Sequence, residues 1–111
     1  MKICTTFRAQ IFVGMRHTET GQIFNIDMAR EFLQKYCDCG LCVTLTPTEY
    51  IYTKGGEPGF VVGLINYPRF PMKQEVLKAH AIHIAIGLKE KFKQARVSIV
   101  LPNETLMLEE E

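Results

Sequence analysis

The sequence has 111 residues, of which 47% are hydrophobic and 23% are charged, a composition typical of one globular domain rather than of a disordered segment. Because 13 lysines and arginines are balanced by 12 aspartates and glutamates, no global positive field favours non-specific binding to duplex nucleic acid or to an anionic membrane. No apolar stretch approaches the roughly 20 residues of a membrane span, and the N-terminus lacks a signal segment. We therefore expect a single cytoplasmic domain over residues 1–111.

The first part of the chain predicts a strand followed by a helix. Residues 3–13 are rich in strand formers, and the polar stretch 15–22, which carries Arg16, is predicted to be a loop. From about residue 25 the apolar residues recur with helical spacing. This helix is expected to stop at Gly40, because glycine is the usual residue just after a helix.

The middle of the chain predicts a hairpin. Residues 41–53 are expected to form a second strand that is bent or bulged at Pro47, since proline cannot donate a ladder hydrogen bond. The glycine-rich stretch 54–59 is predicted to be the turn. Residues 60–66 are predicted to be the third strand, and the run 60–65 is continuously apolar and rich in β-branched residues, which favours a central position.

The last part of the chain predicts a second helix from just after Pro71 to about Gln94. A fourth strand at 96–101 and a further extended piece at 105–108 follow, before the solvated acidic tail 109–111. On the second helix an apolar stripe is expected to face the sheet.

The predicted class is α+β, an antiparallel sheet with both helices on one face and the order β-α-β-β-α-β, known as ferredoxin-like, plus a C-terminal hairpin piece. Right-handed crossovers would place strands one and three side by side in the centre. Two alternatives remain open within this class: the C-terminal hairpin extends the sheet, or the sheet is completed across a dimer.

A second apolar face is predicted on the second helix. Ala79, Ile82 and Ile86 lie nearly opposite the stripe that faces the sheet, and Gly87 beside them permits close backbone approach. A face that would be polar in a monomer is here apolar, which predicts self-association.

The end of the third strand carries a candidate binding corner. Two prolines hold Tyr67, Arg69 and Phe70 in a short segment with few conformers, next to the Asn66 amide. Aromatic rings can stack on a base and an arginine can grip a phosphate, so this corner is typical of a nucleotide site. The alternative is a rigid connection whose aromatic residues cap the core.

The sequence gives little support to a metal site or to catalysis. Cys37, Cys39 and Cys42 lack the second pair of ligands that structural zinc requires, and no residue completes a site at His80 and His83. We expect no metal and no cofactor. Without a catalytic motif such as G-x-S-x-G or H-E-x-x-H, a binding module is predicted rather than an enzyme. A nucleotide phosphodiesterase that uses the two histidines is the enzymatic alternative.

Four segments, 42–53, 57–59, 63–71 and 96–100, resemble small phage proteins of the first Thoeris anti-defence type. The resemblance implies a nucleotide-binding sponge in the host cytoplasm. Such a protein sequesters cyclic ADP-ribose isomers made by a bacterial TIR-domain enzyme, and in some members also cyclic oligonucleotides, without cleaving them. It also implies a homo-oligomer, here a dimer or a hexamer. The short connection 37–42 departs from the family pattern.

A cyclic ADP-ribose isomer has a pyrophosphate, so its site needs further cations. Arg16 and Arg96 are predicted to be these cations, because strand ends in this fold can converge around a cleft. The predicted ligand-binding residues are Arg16, Asn66, Tyr67, Arg69, Phe70 and Arg96. A protein-interaction module that docks its apolar helix face on a host protein remains the alternative function.

Overall fold

The computed structural model describes residues 1–110, which form two α-helices and five β-strands. In chain order these are β1 (Arg8–Gly14), α1 (Ile26–Cys37), β2 (Thr44–Tyr52), β3 (Gly55–Ile65), α2 (Gln74–Lys91), β4 (Arg96–Val100) and β5 (Thr105–Glu109). The predicted α+β class and β-α-β-β-α-β order are confirmed. Because β5 pairs with β4, the C-terminal hairpin extends the sheet. Of the predicted acidic tail, Glu111 lies outside the described residues.

The five strands form one antiparallel sheet in the order β2-β3-β1-β4-β5. The predicted central pair of strands one and three is therefore confirmed. Alternate residues of these two strands point to the same face, where Ile11, Val13, Val62 and Leu64 are almost completely buried. They form one core with apolar residues of α1 and α2, so both helices stabilise this face of the sheet.

The two helices form for the reasons that the sequence suggests. The Asn25 side chain caps α1, since its Oδ1 accepts a hydrogen bond of 2.8 Å from the backbone N–H of Asp27. Ala29 and Leu33, one turn apart, bury the same side of the helix. The chain reverses beyond α1 at Gly40, whose φ of 114° lies in the region that favours glycine. Within residues 1–110, neither helix is long and apolar enough to cross a membrane.

The first strand begins at Arg8 rather than at residue 3. Arg8 pairs with Ile65, the last residue of β3, and the chain turns away at Asn66. The strand-forming residues before Arg8 therefore lack a continuous partner. The backbone carbonyl of Phe7 instead accepts a hydrogen bond from the N–H of Asn66.

The hairpin differs from the prediction at its tip. Tyr52 pairs with Gly55, so only Thr53 and Lys54 connect the strands, and Lys54 adopts a φ of 60°. The glycine-rich stretch is thus the first part of β3 and not a turn. Two-residue loops are the commonest hairpin connections because their twist matches that of the strands.

The bulge predicted at Pro47 is wrong. The pairing of β2 with β3 runs one to one through Pro47, which lies opposite Phe60. Because β2 is an edge strand, it is the kind of strand that tolerates a residue without an N–H.

The second apolar face of α2 is present only in part. Ile86 is 49% exposed, but Ile82 packs against the core. Gly87 lies against the ring of Phe32, so the close approach at this glycine is made by α1 and not by a second subunit. Self-association through this face stays a prediction.

More apolar surface lies on the face of the sheet that points away from the core. The strand register places Phe12 between Val61 and Ser98, and Ser98 beside Met107. Phe12 and Val61 are half-buried and Met107 is 52% exposed. The outer face of the sheet is therefore partly apolar.

Candidate active site

Asn66 opens the corner of residues 66–72, called the 66–72 corner below. It is buried, its Nδ2 donates a hydrogen bond of 2.7 Å to the carbonyl of Thr5, and its Oδ1 accepts one of 3.0 Å from the N–H of Met72. Both ends of the amide are therefore used within the chain. Asn66 ties the N-terminal segment to the connection before α2, which is a structural task.

The two aromatic residues of the corner pack on each other at the edge of the core, where Phe70 is still 38% exposed. The ring centroids of Tyr67 and Phe70 are 5.4 Å apart, and both rings border the same narrow gap as Leu41 and Leu77. A hydrogen bond with the Cys42 thiol, and secondarily burial, raises the pKa of Tyr67. The corner thus resembles the alternative considered above, in which the aromatic residues cap the core.

A groove of about 840 Å³ lies beside this corner. Asn66 and residues 71–75, which lead into α2, form much of its wall. Tyr67, Arg69 and Phe70 do not line it. The four predicted residues of the corner are therefore adjacent in space, yet they do not assemble around one cavity.

Arg16 and Arg96 lie at the other end of the sheet. The corner follows Ile65, which pairs with Arg8 at the start of β1, whereas Arg16 follows the end of β1 and Arg96 opens β4. Because β1 runs the length of the sheet between them, the expected convergence of these strand ends is wrong within one chain. A ligand contact by either arginine stays a prediction.

At this second end, two glycines leave space above the sheet. Gly14 and Gly59 pair directly across β1 and β3, and the ring of Tyr50 lies against Gly59. A Cβ atom at Gly14 would lie 2.7 Å from Gln94 Oε1 and 2.8 Å from Glu57 Oε1. The heads of both side chains therefore occupy the space that the glycine leaves. We call these five residues the Gly14–Glu57 cluster.

Tyr50 brings a neutral phenol to the cluster. Its hydroxyl donates a hydrogen bond of 2.9 Å to the carbonyl of Phe60. Burial, and to a lesser degree the charge of Glu57, raises the pKa of Tyr50 to about 12, against the opposing effect of a backbone hydrogen bond at Val13. The phenol therefore keeps its proton at neutral pH.

Gln94 fixes the loop that follows β1. It is buried, and its Nε2 donates hydrogen bonds of 2.7 Å to the carbonyl of Arg16 and 2.9 Å to that of Phe92. One amide thus joins this loop to the end of α2. Its other end, Oε1, lies over Gly14.

Glu57 supplies a carboxylate that no described cation neutralises. It is half-buried and forms no ion pair within residues 1–110. Arg16, the nearby cation on the loop, instead donates a hydrogen bond of 3.2 Å to the carbonyl of Gly56. A half-buried carboxylate beside an aromatic ring favours a positively charged group, by direct attraction and by the negative face of the ring.

The two histidines of the phosphodiesterase alternative are not brought together around a site. His80 Nδ1 lies 2.9 Å from the hydroxyl of Tyr36, and His83 is exposed. The described part of the chain contains no group of three or more His, Cys, Asp or Glu side chains arranged to hold a metal ion.

Sequence reasoning missed most of the Gly14–Glu57 cluster because Glu57 and Gly59 fell in the predicted turn. The signal that would have found the cluster is the register of the hairpin. With a two-residue turn at 53–54, Tyr50 falls directly opposite Glu57, as the structure shows.

No protein-family model and no curated protein matches the sequence. Two solved structures share its fold. A phage SAM lyase in complex with S-methyl-5'-thioadenosine superimposes with a TM-score of 0.78 at 16% identity, over 100% of this chain and 95% of that chain. A phage SAM lyase in the apo state gives a TM-score of 0.67 at 19% identity, over 95% of this chain and 90% of that chain.

This finding corrects the expectation of a binding module without catalysis, because the proteins that share the fold are lyases. It does not confirm the resemblance to Thoeris anti-defence proteins. Both neighbours are phage proteins, and one of them holds S-methyl-5'-thioadenosine, a nucleotide-like ligand.

Proposed function

We propose that this protein is a lyase that cleaves SAM and releases S-methyl-5'-thioadenosine. The observation that carries the proposal is the match, over the full length of this chain, to a phage SAM lyase with S-methyl-5'-thioadenosine bound. The Gly14–Glu57 cluster adds independent support. SAM is a cation at its sulfonium and at its ammonium group, and Glu57 is a carboxylate without an ion pair among residues 1–110.

The reaction requires little chemistry from the protein. S-methyl-5'-thioadenosine keeps the methyl and adenosyl groups of SAM, so the bond that breaks joins the sulfonium sulfur to Cγ of the methionyl part. Its electron pair goes to sulfur, which becomes a neutral thioether. The substrate's own carboxylate can attack Cγ and close a five-membered lactone, so no external nucleophile or proton transfer is needed.

The task of the chain is then to hold the substrate in the folded shape that brings its carboxylate to Cγ. The sulfonium charge disappears in the transition state, and a carboxylate against it would stabilise the ground state more than the transition state. We therefore assign Glu57 to the ammonium group, whose charge does not change. The neutral ring of Tyr50 would lie beside it.

Elimination is the competing route to the same nucleoside. It would need a base to remove a proton from Cβ, and Glu57 is the carboxylate of the cluster. The second product would be 2-aminobut-3-enoate instead of the lactone. The two routes therefore differ in a product that mass spectrometry resolves.

Consumption of SAM in an infected cell would agree with the coarser expectation of phage anti-defence. Binding of cyclic ADP-ribose isomers or cyclic oligonucleotides stays a prediction that rests on the resemblance alone. A shared site between copies of the chain also stays a prediction, supported by the partly exposed apolar face of the sheet around Met107.

The experiment is incubation of purified protein with SAM, followed by liquid chromatography and mass spectrometry. We expect S-methyl-5'-thioadenosine and homoserine lactone in equal amounts. A cyclic ADP-ribose isomer is tested in the same assay for cleavage, and its binding to the protein is measured by titration. Recovery of intact SAM from folded protein would refute the lyase, and tight binding of the cyclic nucleotide in that case would favour the resemblance.

A further inference from the structure

The connection between α1 and β2 contains three of the four cysteines, Cys37, Cys39 and Cys42, all with free thiols. The connection folds back on the end of the helix. The carbonyl of Cys37 accepts hydrogen bonds from the N–H groups of Gly40, at 2.9 Å, and Leu41, at 3.2 Å. This turn returns the chain to the side of Cys37 just before Cys42.

Cys37 and Cys42 face the same space. Both line a cavity of about 290 Å³ between α1 and the start of β2. The tight turn at Gly40 brings the chain back toward the end of α1 just before Cys42. A disulfide requires two side chains that share one space, with Cα atoms about 4.4–6.8 Å apart.

The other two thiols have separate contacts. Cys39 Sγ donates to the carbonyl of Tyr36 at 3.0 Å, and Cys4 Sγ donates to the carbonyl of Asn66 at 3.4 Å. Neither residue lines the cavity between α1 and β2. Cys37 and Cys42 are thus the two of the four cysteines that share this cavity, although the Cys42 thiol also contacts Tyr67.

The two thiols of this pair differ in exposure. Cys37 is half-buried, and burial, followed by the charges of Cys42, Cys39 and Asp38, raises its pKa. Cys42 is exposed, so a dissolved oxidant meets it first.

We propose that Cys37 and Cys42 form a reversible disulfide that ties the end of α1 to the start of the edge strand β2. With hydrogen peroxide as the oxidant, the Cys42 thiol is oxidised to a sulfenic acid and one water is released. Cys37 then attacks that sulfur, its proton leaves with the hydroxyl as a second water, and the S–S bond forms. A thiol reductant reverses the reaction. This site is independent of the proposed lyase activity.

The experiment is treatment of the full-length protein with hydrogen peroxide, alkylation of remaining thiols and digestion without reductant. A protease that cleaves before aspartate cuts between Cys37 and Asp38, so a bond from Cys37 to Cys42 links two peptides. A bond between Cys39 and Cys42 would stay within one peptide.

We expect linked peptides and the loss of two of the four alkylatable thiols. The link should persist in Cys39→Ser, disappear in Cys42→Ser and separate on addition of dithiothreitol. Absence of the link in the wild type, or its loss in Cys39→Ser, would overturn the assignment. Cys42 is exposed, so its replacement by serine should not prevent folding, and circular dichroism of the variant checks this.

Discussion

The two ends of the sheet use polar residues in opposite ways. At the 66–72 corner, both ends of the Asn66 amide are bonded within the chain, and the rings of Tyr67 and Phe70 pack on each other. At the other end, Glu57 has no ion pair among the described residues and lies with Gln94 over Gly14. The amide at one end is therefore paired internally, whereas the carboxylate at the other is not neutralised by a described cation.

This difference shows why neighbouring residues of the kinds that bind nucleotides are, in a sequence, a weak guide to where a ligand binds. The corner gathers an amide, two aromatic rings and an arginine within five consecutive residues, and the fold uses most of them to close itself. The Gly14–Glu57 cluster draws on four segments, β1, β2, β3 and the residues after α2. Variants at the two ends should therefore separate stability from activity.

The largest effect is expected for Asn66→Ala. The change removes two hydrogen bonds and leaves the Thr5 carbonyl and the Met72 N–H without their partner. Because Thr5 is exposed and Met72 is only partly buried, water can replace part of each lost contact, and the free energy of unfolding should fall by about 1–3 kcal/mol, the net value of two hydrogen bonds. Urea unfolding measures it, with Asn103→Ala in an exposed turn as the control. A fall no larger than that of the control would contradict the structural role.

The next effect is expected for Glu57→Gln. Loss of a charge-assisted hydrogen bond of about 1.5–3 kcal/mol to the substrate ammonium should raise KM for SAM about tenfold to a hundredfold and change kcat little. Steady-state kinetics tests this. Glu49→Gln makes the same chemical change at an exposed position on the same hairpin and should leave KM unchanged. If kcat is lost while KM is kept, Glu57 acts as a base and elimination is the route.

A smaller effect, visible only in alkali, is expected for Tyr50→Phe. Because the pKa of Tyr50 is raised to about 12 in the folded protein and is about 10 in an unfolded chain, the unfolded state ionises first as the pH rises. The stability contributed by this residue is present below pH 10 and lost as the pH approaches 12. The unfolding temperature, measured from pH 10 to pH 12, should therefore fall less steeply for the variant than for the wild type. If the unfolding temperatures of the variant and the wild type fall in parallel, another group is responsible for the loss of stability in alkali.

The smallest effects compare two predicted arginines. Arg69 is exposed at the corner, and Arg69→Ala should change the free energy of unfolding by less than about 0.5 kcal/mol and leave KM unchanged. Arg16 lies on the loop beside Glu57 and contacts Gly56, so Arg16→Ala should raise KM a few-fold. If Arg69→Ala raises KM more than Arg16→Ala does, the ligand binds at the 66–72 corner instead.

The α+β class, the order of the elements and the pairing of strands one and three could be predicted from the spacing of apolar residues and from the residues at the helix ends. The hairpin tip could not, because a glycine-rich stretch favours a turn locally, while a two-residue connection at Lys54 suits the twist of the paired strands. Because Glu57 was assigned to the turn, its position in the sheet opposite Tyr50 was not predicted. The cluster also depends on Gln94, which reaches it only through tertiary packing.

The central claim is that the ligand binds at the Gly14–Glu57 cluster and not at the 66–72 corner. The most direct measurement is the change in backbone amide NMR signals when S-adenosylhomocysteine, which keeps the ammonium group of SAM but has no sulfonium to cleave, is added to the wild-type protein. We predict the largest shifts at Gly14, Glu57, Gly59 and Gln94, with residues 66–72 nearly unchanged. Shifts concentrated at 66–72, with the cluster unchanged, would contradict the account.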